Sequence, residues 1–220
     1  METHKTNWNR AIRASLIVYV FVLGYAIVRY NVVRDVSLEL IPLFINNKAI
    51  ALTSVIIIGW SFILGPCARL WPSFFEKRLG LRKPLGLIGF GLAATHALMS
   101  LILLSPSYYA KFFLEGGKLN LMGESSMLFG VLSFVVFSVV SVSSFPSVEA
   151  KLDTLVWKRV QRLGYLAFFF TLLHVVIMGF SGWLKAESFK YGLASISLLS
   201  ALVIIIVLLT RIFVPLLRKR

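Results

Sequence analysis

Charged residues divide this chain into long uncharged runs. Ala49 to Ala68, Pro84 to Ala110, Ser125 to Val148, Leu163 to Leu184 and Tyr191 to Thr210 each offer 20 or more positions without a charge. A helix needs about 20 apolar residues to cross a hydrocarbon core, so each run is long enough. A sixth run, Ala14 to Val28, is shorter. Arg13 and Arg29 flank it with side chains long enough to snorkel to the two interfaces, and Tyr30 to Val33 extend it. Basic residues before that run also suit a signal peptide, but no small-residue cleavage site follows. The pattern therefore predicts an all-α, polytopic membrane protein. Its six transmembrane helices are expected over about 12–33, 49–68, 84–106, 125–146, 160–184 and 191–213.

Lys and Arg placement sets the orientation. With the N-terminus inside, the tail (Lys5, Arg10, Arg13), second loop (Arg69, Lys77, Arg78, Arg82, Lys83), fourth loop (Lys151, Lys158, Arg159, Arg162) and C-terminus (Arg211, Arg218, Lys219, Arg220) place 16 basic residues inside. Seven fall outside: Arg29, Arg34, Lys48, Lys111, Lys118, Lys185 and Lys190. Both termini are expected to be cytoplasmic. Trp8, Trp71 and Trp157 fall at the inner boundary and Trp183 at the outer one, as aromatic belts do.

Composition agrees. The chain is 58% hydrophobic and 15% charged, with mean hydropathy +0.86, whereas soluble domains are about 45–50% apolar and about 25% charged. The net charge of +14 is the positive-inside pattern, not a nucleic-acid surface. A single cysteine, Cys67, cannot form an internal disulfide. No G-x-G-x-x-G follows a strand pattern, and there is no Walker loop or internal repeat. One domain over residues 1–220 in the cell membrane is the expectation.

Two of the three histidines fall inside predicted spans. His4 lies in the tail, but His96 and His174 sit in the third and fifth helices, where ionisable residues mark functional sites by default. His96 is 12 residues beyond Pro84 and His174 is 11 beyond Leu163, on helices running in the same direction. Both thus lie at one depth, near the bilayer middle. Two neutral imidazoles at one level suit axial ligation of a haem iron. Zinc suits the site less, because no Cys, Asp or Glu shares that depth, and a proton relay lacks an intramembrane carboxylate. Seven residues before each histidine stands Gly89 or Ala167, and three before stands Ala93 or Thr171. Such small residues let a flat macrocycle lie against a helix, and they also permit close helix packing.

Arg82-Lys83-Pro84-Leu85-Gly86-Leu87, followed by Phe90, Ala93, His96-Ala97 and Ser100-Leu101, is similar to the third-helix signature of the ferric-reductase-like transmembrane superfamily. Ser144-Phe145-Pro146-Ser147-Val148 resembles the close of its fourth helix. Gln161-Arg162-Leu163-Gly164, with Thr171 and His174, resembles its fifth. These motifs cover about Pro66 to Gly179 and look most like the STEAP metalloreductase membrane domain. A weaker resemblance is to the bacterial MsrQ-type haem subunit, which serves a periplasmic methionine sulfoxide reductase.

The resemblance implies one b-type haem in the outer half of the bilayer, with His96 and His174 as its axial ligands. MsrQ-like relatives place a second haem ligand where this chain has Gln161. STEAP-like proteins instead hold a flavin, FAD, at the inner leaflet. The matching contacts here are Ser144 and Gln161, the latter one residue closer to the histidine than in the family. Arg82, Lys83 and Arg159 suit either flavin phosphates or simple interfacial anchoring. The family's NADPH-binding domain has no counterpart in these residues, so a cytoplasmic flavin or NADPH reductase partner is expected to supply electrons. The resemblance also implies a homotrimer. Ferric or cupric ion is the implied acceptor at the outer face. The rival readings are an MsrQ-like subunit feeding an extracytoplasmic reductase, and a non-redox scaffold with structural histidines.

Overall fold

The computed structural model describes residues 2–217, with side chains over 6–214. The side chains of His4 and Lys5, and the whole of Arg218, Lys219 and Arg220, lie outside the described residues. Six helices are long and apolar enough to cross a membrane. They are α1 (Glu2–Ile27), α2 (Asn46–Leu70), α3 (Arg82–Ile102), α4 (Leu121–Val142), α5 (Thr154–Trp183) and α6 (Ile196–Leu217). No strand forms among the described residues, which hold one isolated bridge between Phe113 and Leu119.

Local chemistry fixes the ends. Asn120 caps α4 by accepting from the Gly123 N–H at 3.0 Å, and Asp153 caps α5 by accepting from the Leu155 N–H at 2.7 Å. The third helix ends at Ile102, earlier than predicted. Pro106 opens a separate short helix there, and Ser105 before it is extended (φ −152°, ψ 159°), as a residue preceding proline prefers. The sixth helix starts at Ile196, later than the predicted Tyr191. Tyr191 and Gly192 are left-handed (φ 54° and 74°), which glycine tolerates because it has no Cβ. The second helix reaches back to Asn46, so Lys48 belongs to its first turn and not to a loop.

Arg29 also departs from expectation. Instead of snorkelling to water it is 2% exposed, its guanidinium donating to the carbonyls of Leu193 and of Ser188 (3.0 Å). These carbonyls take the place of water and tie the end of α1 to the loop before α6.

Helix α2 is central, packed against α1, α3 and α6, while α4 pairs with α5 and α5 with α6. Its Phe62 meets Tyr165 and Phe168 of α5 and Phe137 of α4, at ring-centroid distances of 4.8, 5.3 and 6.5 Å. Hydroxyls join neighbouring helices: Ser54 donates to the Gly89 carbonyl at 2.9 Å, Ser61 to Arg82 at 2.7 Å and Ser133 to Ala167 at 2.9 Å. The small residues Gly89 and Ala167 therefore serve helix packing. Ala93 and Thr171, one turn nearer the histidines, remain half-buried.

Polarity is inverted relative to a water-soluble bundle. Thr53, Ser54, Ser61, Ser133 and Ser200 are buried, while Phe21, Leu98, Ile102 and Ile206 face outward. Without water to solvate the backbone, a helix bundle must satisfy its polar groups internally and show hydrocarbon to lipid. The chain is a multi-pass membrane protein.

The α2–α3 contact yields a test. A Cβ on Gly89 would stand 2.5 Å from Ile58 Cγ1 and 3.1 Å from its backbone N, whereas a Cβ on Gly91 meets nothing within 4 Å. Gly89→Ala is expected to destabilise the bundle by about 1–3 kcal/mol. Gly91→Ala should be neutral or stabilising by about 0.5–1 kcal/mol. Thermal unfolding in detergent, followed by intrinsic fluorescence, distinguishes the two.

Candidate functional site

Helices α3 and α5 bring His96 and His174 to one end of the bundle. His96 lies six residues before Ile102, the last of α3, and His174 lies nine before Trp183, the last of α5. The two rings are near enough to interact electrostatically. The buried residues of α3, Pro84, Leu85 and Gly89, all lie well before His96, and in α5 the stretch between Phe168 and Gly179 is at most half-buried. The segments that carry the histidines are thus the loosely covered parts of both helices.

Each ring is held through its Nδ1. The His96 Nδ1 lies 2.8 Å from Asn47 Oδ1, and the Asn47 amide in turn donates to Ser100 Oγ at 2.9 Å. The amide therefore presents its oxygen to His96, which places the proton on Nδ1. The His174 Nδ1 lies 2.8 Å from the Ser126 carbonyl, an acceptor only, and 3.1 Å from the Ser126 hydroxyl. Gly130 of α4 makes room for this ring: a Cβ there would approach the His174 Nδ1 to 3.1 Å. Both histidines are consequently neutral Nδ1–H tautomers, and neither Nε2 has a hydrogen-bond partner among the described residues. Metal-binding histidines carry this signature, with one ring nitrogen fixed by the second sphere and the other left as a lone pair. The donor set fits a haem iron with two axial imidazoles. Elsewhere no group of three or more His, Cys, Asp or Glu converges among the described residues.

Sequence reasoning did not single out Asn47 or Ser126, and it took Ser100 only as part of the third-helix signature. The one available signal was Asn46-Asn47-Lys48, a polar trio opening an apolar run. Which histidine it serves depends on packing across helices.

Nearby stand two lysines without carboxylate partners among the described residues. Lys48 places its Nζ 4.0 Å from the centroid of Phe44, with Tyr30 and Tyr109 at 5.5 and 5.6 Å. Lys111 donates to the Met178 carbonyl at 2.5 Å and lies over Phe112 at 4.6 Å. Burial holds the Lys111 ammonium below the ordinary lysine pKa and pushes the Tyr109 phenol above the ordinary tyrosine one.

At the opposite end the expected flavin residues are partly united. Gln161 Nε2 donates to Ser144 Oγ at 2.9 Å, Ser143 Oγ at 3.0 Å and the Val140 carbonyl at 3.2 Å. Both serine hydroxyls turn to the same carbonyl, at 3.1 Å from Ser144 and 2.7 Å from Ser143. Ser144 and Gln161 thus sit side by side and spend these hydrogen bonds on one another and on Val140. Lys83 is paired with Glu149 at 2.6 Å, and Arg82 donates its Nε to the Ser61 carbonyl at 3.2 Å.

Comparison with known proteins places the chain in a family. Residues 49–172 fit the model described as "Ferric reductase like transmembrane component". Mouse and human Metalloreductase STEAP2 are similar to this chain at 26% and 25% identity over 198 residues, covering 74% of this chain and 40% of each relative. The chain therefore spans well under half the length of those relatives. More than half of the chain fits the family model, a stretch that includes His96 but begins after Asn47 and ends before His174, and the chain belongs to the ferric reductase like transmembrane component family.

Proposed function

We propose that this chain carries electrons across a membrane through one b-type haem, bound at Nε2 of His96 and Nε2 of His174. The observation that carries this reading is the matched setting of the two rings. Each is a neutral imidazole with its Nδ1–H held by a protein oxygen and its Nε2 free. A haem iron between two such ligands takes up and gives back one electron.

The chain's own residues supply the conditions. Asn47 and Ser126 fix the tautomer and aim each lone pair, so no proton competes for Nε2. The basic end, with Arg69, Arg82 and Arg211, is taken as the cytoplasmic side by the positive-inside rule. A donor there would supply electrons, and ferric or cupric ion would receive them at the histidine end, in keeping with the metalloreductase relatives. A flavin near the basic end would have to draw Gln161 away from Ser143 and Ser144, so this geometry supports the haem site more directly than the flavin site.

Visible spectra of detergent-purified protein, oxidised and dithionite-reduced, with a pyridine haemochrome count, test the reading. One low-spin b-type haem per chain is expected. His96→Ala and His174→Ala should each abolish it, while His4→Ala retains it. Equal retention in all three variants would remove the ligand assignment.

The second sphere gives a finer test. Asn47→Leu is expected to weaken haem retention by about 10- to 100-fold, the usual cost of losing a partner behind a metal-binding histidine. Ser126→Ala should cost much less, because the backbone carbonyl that holds His174 survives the change. Haem transfer to apomyoglobin measures both.

A further inference from the structure

Lys48 occupies a position that the packing of this protein alone does not explain. It is the third residue of α2, which continues directly from the helical turns at Ile41–Ile45. Its ammonium is enclosed by Phe44, Tyr30 and Tyr109, and the charge that acts on it is another cation, Lys111. Cation–π contacts offset part of the lost hydration but do not neutralise the charge. Asp35, Glu39, Glu115, Glu124 and Glu187 lie toward the same end in sequence, yet the ion pair that forms among the described residues is Lys83 with Glu149, at the other end.

The two lysines are arranged around the histidines. Lys48 adjoins Asn47, which holds His96. Lys111 holds the carbonyl of Met178, one helical turn beyond His174 on α5. Each histidine therefore has, on its loop side, one lysine without a carboxylate partner among the described residues. Lys48 is half-buried and Lys111 stands exposed at the rim, and a cation held among aromatic rings beside a membrane site favours a negative partner.

Building on the haem reading above, we propose that Lys48 and Lys111 receive the two carboxylates of the macrocycle that His96 and His174 hold. A bound haem b then directs both propionates toward the loop end of the bundle. The pair acts as the counter-charge of the ligand and sets which way round it binds. Positive charge beside the macrocycle also favours the ferrous over the ferric state, so the lysines raise the reduction potential.

The test compares iron protoporphyrin IX with its dimethyl ester, which keeps the ring and the iron but carries no carboxylate. Both are titrated into detergent-purified apoprotein, for wild type, Lys48→Met, Lys111→Met and the double variant. Each charge-assisted contact is expected to contribute about tenfold in affinity. Wild type should therefore prefer the natural haem by about 100-fold, each single variant by about tenfold, and the double variant hardly at all. The midpoint potential with natural haem should fall in the same order. Equal affinity of wild type for the two haems, which needs no variant, overturns the inference, as does an undiminished preference in the double variant. Wild type that binds neither haem overturns the axial-ligand reading and this inference together.

Discussion

A polar N–H inside hydrocarbon has no water to turn to, and the protein must supply its acceptor. Much of this structure follows from that constraint. The imidazole N–H of His96 is matched by Asn47, and that of His174 by the carbonyl of Ser126. Arg29, buried where α1 ends, gives its two terminal nitrogens to loop carbonyls, while its Nε is left without a partner. Once each imidazole proton is committed in this way, the other ring nitrogen is left as a lone pair. The rule that makes a membrane histidine tolerable also makes it a ligand.

The same constraint shapes the scaffold. With lipid as apolar as the side chains, helices gain little from burying hydrocarbon against one another, and association rests on close packing and hydrogen bonds between helices. Gly89 lets α3 lie directly on Ile58 of α2, and Ser54 bonds to the carbonyl that this approach exposes. Ser133 does the same between α4 and α5. These contacts lie toward the basic end. Beyond them α3 and α5 carry their histidines through stretches the protein covers loosely. Tight packing at one level and an uncovered site at another are thus parts of one arrangement.

Charge is distributed with similar economy. At the basic end Lys83 finds Glu149, and arginines from α2, α3 and α6 gather near Tyr165. At the histidine end Lys48 and Lys111 meet aromatic faces and a carbonyl but no carboxylate. The two ends therefore differ in kind. One is an interfacial anchor dense in cations; the other sets a half-buried and an exposed lysine beside two imidazoles.

The six helices were legible in the chain alone, because spans of some 20 uncharged residues admit few other folds. The sequence also singled out His96 and His174, because an ionisable residue in a membrane span stands out without any structure. Chain ends of helices were less legible: Pro106 and the left-handed Tyr191–Gly192 pair moved two boundaries through local backbone geometry. Gly89 and Ala167 were ambiguous in sequence, since small size serves a macrocycle and a helix neighbour equally. Only the tertiary structure assigned them to packing. Likewise it alone joined Asn47 to His96, 49 residues apart, and Ser126 to His174, 48 apart. A hydrogen bond across helices has no period and no spacing along the chain. Its partners are set by which faces meet, and that is decided when the bundle packs.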